Sequence, residues 1–330
     1  MLKTEIAEIM SKDNLAYQVA EKVNYNLKLD AEEKEVFEVC DAWARDIGKT
    51  GNDANHEIAA FVTKTINEEI YNAPDELLDA MFERGSVGEF DDYEVFKTPK
   101  NTLVAYEAAK GGTVDRSWLD FGTLKPSTKN RQVETDISYA DLRRNGFKSV
   151  ATLTTFAEEA LKNAMFADIF GQVDAAIAGG EQLIAVTGAN PTQEAVDKLA
   201  LYLTDRDANG AMIVALNKYC KAIGRMTGYD QYMSESMKDN FNRYGLVDFF
   251  GGVKVAGISG AKKTGTGNLL IPDKRIFGVA GKIGTLDMKG EVHTYEDMNN
   301  QNETVHLMIK DFTYSYCITD IDKVAKITLT

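Results

Sequence analysis

The chain has 330 residues, 44% of them hydrophobic and 27% charged, and it carries a net charge of −14. This composition is typical of a folded globular protein and excludes a disordered chain. The longest apolar run, Ala211–Leu216, is far shorter than the ~20 residues that a membrane helix needs, and so acidic a surface disfavours tight binding to nucleic acid.

The first ten residues, MLKTEIAEIM, have no basic segment followed by an apolar core, so no secretory signal is predicted. The three cysteines, Cys40, Cys220 and Cys317, are odd in number and widely spaced, which predicts a reducing compartment without disulfides. Residues 1–90 hold 20 acidic and 9 basic side chains. We interpret this acidic segment as a source of solubility, with a basic partner as the alternative.

The first 85 residues show three apolar stripes at helical spacing. Asp30 and Glu33 predict a capping box for the first helix, which Gly48 is expected to close. The third helix is expected to follow Pro74 and to end at Gly85. The stripes are Val36, Phe37, Cys40, Trp43 and Ile47; Ile58, Phe61, Val62, Ile66 and Ile70; and Leu77, Leu78, Met81 and Phe82.

Helical periodicity fades over residues 86–148, where glycines and Pro126 interrupt short β-like runs such as 102–106. Few apolar residues occur here apart from Trp118 and Phe121. The segment therefore predicts a projecting hairpin, with Lys110 near its tip, that has no core of its own and must rest on another surface.

Residues 132–139, QVETDISY, alternate apolar and polar side chains as a half-buried strand does. A long helix is predicted from about Phe156 to Ala178, with Thr155 and Glu158 as its capping box and Gly179-Gly180 as its end. Such a helix would be ~35 Å long, enough to span a domain, and we expect Phe156 to be buried along it.

An α/β region follows the long helix. Helices are predicted around Val196, after a cap at Asn217 and over 234–244, and strands at Ala211–Leu216, Val253–Ile258 and 268–271. The chain ends in strands over 312–319 and 323–329.

No motif gives a convincing catalytic or ligand site. Residues 205–210, DRDANG, match the first half of a calcium loop, but Leu216 stands where the loop needs a bidentate Glu, so a polar turn is predicted. The loop at 260–267 lacks the Lys and Ser/Thr that follow the second glycine of a phosphate-binding loop. His56, His293 and His306, expected on a helix, in a loop and on a strand, lack metal-ligand spacing, so no catalytic, cofactor or metal residue is predicted.

Three segments resemble major capsid proteins of tailed bacteriophages, which have the Hong Kong 97-type fold that encapsulins also have. They are DISYADLRRNGFKSVATLTTFAEEALKNAMFADIFGQVDAAIAGG, GLVDFFGGVKVAGISG and NLLIPDKRIFGVAGKIG. The resemblance implies an α+β fold with five parts: 1–85 as a helical amino-terminal arm, 86–148 as an extended loop and its base, 149–184 as the spine helix of a peripheral domain, 185–290 as an α/β axial domain, and 291–330 as strands returning to the peripheral domain.

The resemblance also implies a function. The chain would be a structural subunit, not an enzyme, that forms hexamers and pentamers of an icosahedral shell in the host cytoplasm. The shell would enclose double-stranded DNA without sequence-specific binding, and scaffold, portal and decoration proteins would be further partners. Residues of the extended loop would contact a neighbouring subunit: Lys110, Gly111, Gly112, Trp118 and Phe121.

Two alternatives remain open. An encapsulin-like compartment has the same fold but would enclose a cargo enzyme. An α/β enzyme that binds a nucleotide through the loop at 260–267, or calcium through the turn at 205–210, belongs to a different class.

Overall fold

The computed structural model describes residues 15–50, 55–68, 70, 75–91, 96–100, 103–105, 107, 110, 117, 120–207, 209–226, 235–238, 248–299 and 303–330. The helices are α1 (Leu15–Asn24), α2 (Ala31–Thr50), α3 (Asn55–Asn67), α4 (Glu76–Met81), α5 (Tyr139–Asn145), α6 (Phe147–Ala176), α7 (Gln193–Thr204) and α8 (Asn217–Gly224). The strands are β1 (Phe82–Val87), β2 (Phe96–Lys100), β3 (Asp120–Leu124), β4 (Ser127–Ser138), β5 (Leu183–Val186), β6 (Ala211–Leu216), β7 (Phe249–Phe250), β8 (Val253–Ile258), β9 (Arg275–Ala280), β10 (Gly284–Lys289), β11 (His293–Asn299), β12 (Thr304–Ile318) and β13 (Val324–Leu329).

The amino-terminal helices pack against the start of α6 through aromatic rings. The Phe61 ring centroid lies 5.7 Å from that of Trp43 and 5.5 Å from that of Phe147, the first residue of α6. Asp30 N donates to Glu33 Oε2 at 2.8 Å, which confirms the capping box before α2. The prediction that Gly48 closes this helix is wrong: Gly48 lies inside α2, where a β-carbon would be 2.9 Å from Arg143 N of α5.

The third predicted helix is shorter than expected. α4 begins after Asp75, whose side chain accepts hydrogen bonds from the backbone N–H groups of Leu77 and Leu78, and it ends at Met81. Phe82 and Gly85 belong to β1, so the prediction that the helix continues to Gly85 is wrong. β1 pairs in parallel with β10, about 200 positions further along the chain, and this distant pairing overrides the local helical pattern.

The long helix α6 begins nine residues before the predicted start at Phe156. It has 30 residues and is therefore ~45 Å long. Thr155 donates its hydroxyl to Ala151 O at 3.0 Å, and Glu158 pairs with Lys162 at 2.8 Å, so both lie within the helix and the predicted capping box is wrong.

The true start of α6 is held by α2. Gly146 occupies the N-cap position with φ 57° and ψ −135°, and it has no side chain with which to cap the helix. Asp41 Oδ1 instead accepts from Phe147 N at 3.1 Å. Arg45, paired with Asp41 at 2.7 Å, donates to the carbonyl oxygens of Arg143 and Arg144 at the end of α5. One ion pair of α2 thus satisfies the adjoining ends of two helices.

One sheet has five strands in the order β1-β10-β12-β11, and β4 also pairs with β12. Along β4, residues 133, 135 and 137 are at least half-buried and 132, 134 and 136 are exposed, which confirms the predicted alternation. β12 begins eight residues before the predicted position 312. The β4–β12 register shifts between Ile309 and Phe312, which marks a β-bulge.

The other large sheet has six strands in the order β5-β13-β9-β6-β8-β7. The predicted strands at Ala211–Leu216, Val253–Ile258 and 323–329 are confirmed, the last beginning at Val324. Residues 268–271 form no strand, so that prediction is wrong; Leu270 and Ile271 are buried from a loop. Leu216, not Asn217, occupies the N-cap position of α8.

The buried apolar residues of both sheets and of the surrounding helices form one hydrophobic cluster, which extends from Val19 to Leu329. Residues 235–238 are helical, and the rest of the helix predicted over 234–244 lies outside the described residues.

Candidate assembly surface

The segment between β1 and β4 contains a two-stranded ribbon that stands apart from both large sheets. β2 and β3 pair in antiparallel register, from Phe96 opposite Leu124 to Lys100 opposite Asp120. Among the described strands, neither pairs with a third one. Because an isolated two-stranded hairpin is only marginally stable in water, the ribbon needs a further surface to pack on.

Large apolar side chains are exposed near this ribbon. Leu103 and Val104, which follow β2, are 55% and 54% exposed, and Phe90, which precedes β2, is 92% exposed. Leu103 and Val104 are adjacent in the chain, and exposed apolar side chains that lie together mark interaction sites more often than single ones do. None of these three residues is among the five contact residues predicted from the sequence. Their apolar side chains fit neither a helical nor an alternating pattern, and this could have indicated that they are exposed.

Two of the five residues expected to contact a neighbouring subunit are described. Lys110 lies exposed in a turn, and Phe121 lies in β3 opposite Pro99. Gly111, Gly112 and Trp118 lie outside the described residues, as do Thr102 and Tyr106 of the predicted strand 102–106.

An open groove of about 620 Å³ runs between β4 and α6. Its apolar lining includes Val133, Ile137, Leu153 and Phe156. Phe156 is 57% exposed, so the expectation that it is buried is wrong. At ~100° per residue, Phe156 lies about 180° around the helix from the buried Met165, and this periodicity could have revealed its exposure.

The groove also carries acidic groups. Glu134, Asp136 and Asp141 line it together with Lys148. On the exposed side of β4, His306 Nδ1 lies 2.7 Å from Asp136 Oδ1. His306 is on a strand, as predicted, whereas His293 lies on β11 and not in the expected loop.

The segment at 205–210 has the hydrogen bonding of a turn. Asp207 Oδ1 accepts from the backbone N–H groups of Asn209 and Gly210, each at 3.1 Å, and Gly210 O accepts from Gly281 N at 2.9 Å. These bonds agree with the predicted polar turn between α7 and β6.

The loop at 260–267 connects β8 and β9. Thr264 N donates to Asn268 O at 2.9 Å, and Asn268 N donates to Thr264 Oγ1 at 3.2 Å. Within the residues that the structure describes, no group of three or more His, Cys, Asp or Glu side chains could hold a metal ion.

A second cavity, of about 480 Å³, lies between α1, α6 and the loops around Ser259 and Leu270. Tyr25 at the end of α1 donates its hydroxyl to Glu159 Oε1 at 2.6 Å, which together with burial raises the Tyr25 pKa to about 12. Acidic and basic side chains both line this cavity, among them Glu159 and Lys162.

None of the helices among the described residues combines the length and the apolar character needed to cross a membrane.

These features together, namely a long helix across a bulged five-stranded sheet, a six-stranded sheet with its helices and a two-stranded ribbon, define the fold. The chain has the Hong Kong 97-type capsid fold. No protein-family model matches the sequence, and no curated protein matches it. The assignment of the fold therefore rests on similarity to solved structures.

Several solved structures of phages carry this fold. A chain of Gordonia phage Cozz superposes with a TM-score of 0.53 at 11% identity, covering 78% of this chain and 87% of that one. The mature capsid of bacteriophage PhiM1 gives 0.52 at 12% identity, covering 79% and 88%. The capsid of cyanophage P-SCSP1u gives 0.51 at 9% identity, covering 80% and 94%.

Proposed function

We propose that this chain is the major capsid subunit of a tailed bacteriophage. In this proposal it assembles with copies of itself into hexamers and pentamers of an icosahedral shell that encloses double-stranded DNA. The observation that carries the proposal is the ribbon of β2 and β3, which pairs with no other described strand in a chain whose fold matches capsid structures.

The ribbon couples folding to assembly. Its two strands gain little stability alone, so burial of Leu103 and Val104 against a neighbouring copy would stabilise both the ribbon and the contact. Each contact can be weak, because a closed symmetric shell repeats the same contact many times.

The charge of the chain fits enclosure of DNA rather than tight binding to it. A net charge of −14 repels phosphate groups, so a shell of these subunits would retain DNA by closure. We assign no catalytic role to the chain, and scaffold, portal and decoration proteins remain proposed partners. The predicted division into five parts is likewise part of this proposal.

The test compares two double variants of the ribbon. Leu103→Asp with Val104→Asp places two charges on the proposed contact, whereas Leu103→Ile with Val104→Ile keeps the surface apolar. We expect both proteins to fold, as judged by circular dichroism, but only the Ile variant and the unmodified protein to form shells in the void fraction of a size-exclusion column. Shells of the Asp variant at unchanged concentration would contradict the role of the ribbon.

The contents of the shells distinguish the two uses of this fold. Shells that package DNA when co-expressed with a packaging system support the capsid proposal. Shells that instead retain one co-purifying enzyme would show an encapsulin-like compartment.

A further inference from the structure

The five-stranded sheet consists of two halves that meet at the bulge of β12. On one side, residues 304–309 of β12 pair with β11 and with residues 133–138 of β4. On the other side, residues 313–318 pair with β10, and residues 312–316 pair with 127–131 of β4. We name these the helix-side half-sheet, because its part of β4 leads into α5, and the ribbon-side half-sheet, because its part of β4 follows the ribbon.

The connection between the halves is narrow. Only β4 and β12 run through both halves. At the junction the β12 residue Asp311 has φ 68°, a left-handed conformation that is uncommon for a residue other than glycine. A β-bulge bends its strand and increases the local twist. A bend at the junction would therefore cross two strands, fewer than a bend through either half-sheet.

Each half-sheet has its own anchor on a helix. In the helix-side half-sheet, Thr294 N donates to Thr63 Oγ1 at 3.0 Å, and just before β11 Val292 N donates to Asn67 Oδ1 at 2.8 Å. Both acceptors lie on α3. This half is therefore fixed to the amino-terminal helices.

In the ribbon-side half-sheet, β4 and β12 share one carboxylate of α6 as an anchor, while β1 is held separately through Arg84, which donates to Ile70 O at 3.1 Å. Arg131, the last residue of β4 before the register shift, donates from Nε and Nη2 to the two oxygens of Asp168 at 3.0 and 2.6 Å. Tyr314 of β12 donates its hydroxyl to Asp168 Oδ2 at 2.5 Å. Burial is the main cause that raises the Tyr314 pKa, with Asp168 adding to it, so the hydroxyl stays a donor. Asp168 thereby holds β4 and β12 at once.

We propose that the bulge is a hinge and that Asp168, Arg131 and Tyr314 form a clamp that sets its angle. Because β4 follows the ribbon after two residues, the clamp also sets the direction in which the ribbon projects. The hinge is inferred from the geometry of one subunit. In an assembled shell, the direction of the ribbon would set the angle between neighbouring copies and therefore the curvature of the shell. Only this consequence rests on the proposed function.

The first test uses two variants of the clamp. Asp168→Asn removes its negative charge. Arg131→Lys weakens the contact with Asp168, because lysine cannot bind a carboxylate in bidentate fashion. The control is Glu303→Gln. Glu303 pairs with Arg143 at 3.4 Å, which also joins a helix to the sheet region, but both side chains are largely exposed. Hydrogen–deuterium exchange is followed on peptides from each half-sheet.

We expect Asp168→Asn to raise exchange at least ~10-fold in residues 127–131 and 312–318 while residues 133–138 and 304–309 stay unchanged. Arg131→Lys should give a smaller effect with the same pattern, and Glu303→Gln should give none. A uniform increase in both halves would show a general loss of stability, and an unchanged ribbon-side half would show that the clamp holds nothing. Either result overturns the proposal.

The second test measures the angle. Spin labels at Lys125→Cys, beside the ribbon, and Asn163→Cys, on α6, report the distance across the clamp. We expect Asp168→Asn to broaden or shift the distance distribution, and an unchanged distribution contradicts the hinge. If the protein never assembles, the proposed function fails while this result still stands. If Asp168→Asn assembles into shells of the same size as the unmodified protein, the link from hinge to curvature is overturned.

Discussion

The thiols of Cys40 and Cys220 lie away from solvent, one in the amino-terminal helices and one under the six-stranded sheet. Burial raises the pKa of each from its ordinary value of 9.0 to about 12. The thiolate is the reactive form, so these cysteines are not candidate nucleophiles. Cys220 is buried as a small apolar residue would be.

The raised pKa values of the two thiols predict how the stability of the protein depends on pH. The stabilisation from keeping the thiols neutral is fully present below their unfolded pKa and is lost as the pH rises from about 9.0 towards 12.

At neutral pH we expect a thiol reagent to label Cys40 and Cys220 ~100-fold more slowly in the native protein than in urea. Rapid native labelling of both, located by peptide mass spectrometry, would contradict their burial.

At the junction between α5 and α6, we expect the loss of one acidic side chain, that of Asp41, to be unusually destabilising. Asp41→Ala removes the acceptor for Phe147 N and the partner of Arg45, so we expect a loss of ~1–2 kcal/mol in the free energy of unfolding. Glu194→Gln is the control, because its pair with Lys198 is exposed and should change stability by less than ~0.5 kcal/mol. Equal values for the two variants in urea denaturation would show that Asp41 caps nothing.

Substitution of two phenylalanines of α6 should lower the stability by very different amounts. Phe170 is fully buried, with its ring centroid 5.7 Å from that of Phe277, so Phe170→Ala should cost ~3–5 kcal/mol. Phe156 is exposed in the groove, so Phe156→Ala should cost less than ~1 kcal/mol. Thermal and urea unfolding measure both, and a large loss for Phe156 would place it in the core.

At the level of elements, local periodicity identified those whose stability depends on one buried face. The predictions of α2 and α3 from their apolar stripes, of β4 from its alternation and of β6 from its apolar run are correct. In each case the pattern reports directly which side chains are buried. The prediction of a strand over 268–271 is wrong because an apolar run bounded by glycines has the same pattern whether its neighbour pairs along its length or at one residue; here Leu269 forms an isolated bridge with Lys263.

Element boundaries failed where a distant residue decides them. Gly146 has the appearance of a helix terminator, and only Asp41, on α2, explains why a helix begins directly after it. β1 follows an apolar helical stripe, and only β10 explains why it is extended. No local pattern in the sequence reports either partner.

For the candidate site, the sequence predicted the hairpin but not its contacts. A long segment with little apolar content predicts a hairpin without its own core; the described strands β2 and β3 pair with no third strand, whereas residues 127–138 of the same segment form β4 of the five-stranded sheet. The clamp at Asp168 could not be predicted, because it joins three elements whose relative positions follow from the folded sheet.

At the scale of the whole molecule, strands from both ends of the chain share one sheet. Residues 82–85 of β1 come from the predicted amino-terminal arm, residues 86–87 from the base of the predicted extended loop, and β10 from the predicted axial part, and both strands belong to the sheet that contains β12. Residues 82–87 therefore belong to the body of the protein, and deletion of the whole predicted arm would remove an edge of its sheet.

The net charge predicts how assembly depends on salt. Subunits of charge −14 repel one another, and the screening length falls from ~30 Å at 0.01 M to ~8 Å at 0.15 M salt. We therefore expect the lowest subunit concentration that yields assemblies to fall as sodium chloride rises over this range, as measured by light scattering. A threshold that rises with salt would show that attraction between opposite charges drives the contacts instead.

Electron cryo-microscopy of the purified protein over a range of concentrations tests the proposed assembly most directly. We expect closed shells of hexamers and pentamers in which the ribbon of each subunit, with Leu103 and Val104, lies against a neighbouring copy. A protein that remains monomeric at every concentration and salt condition, with its ribbon ordered in isolation, would contradict it.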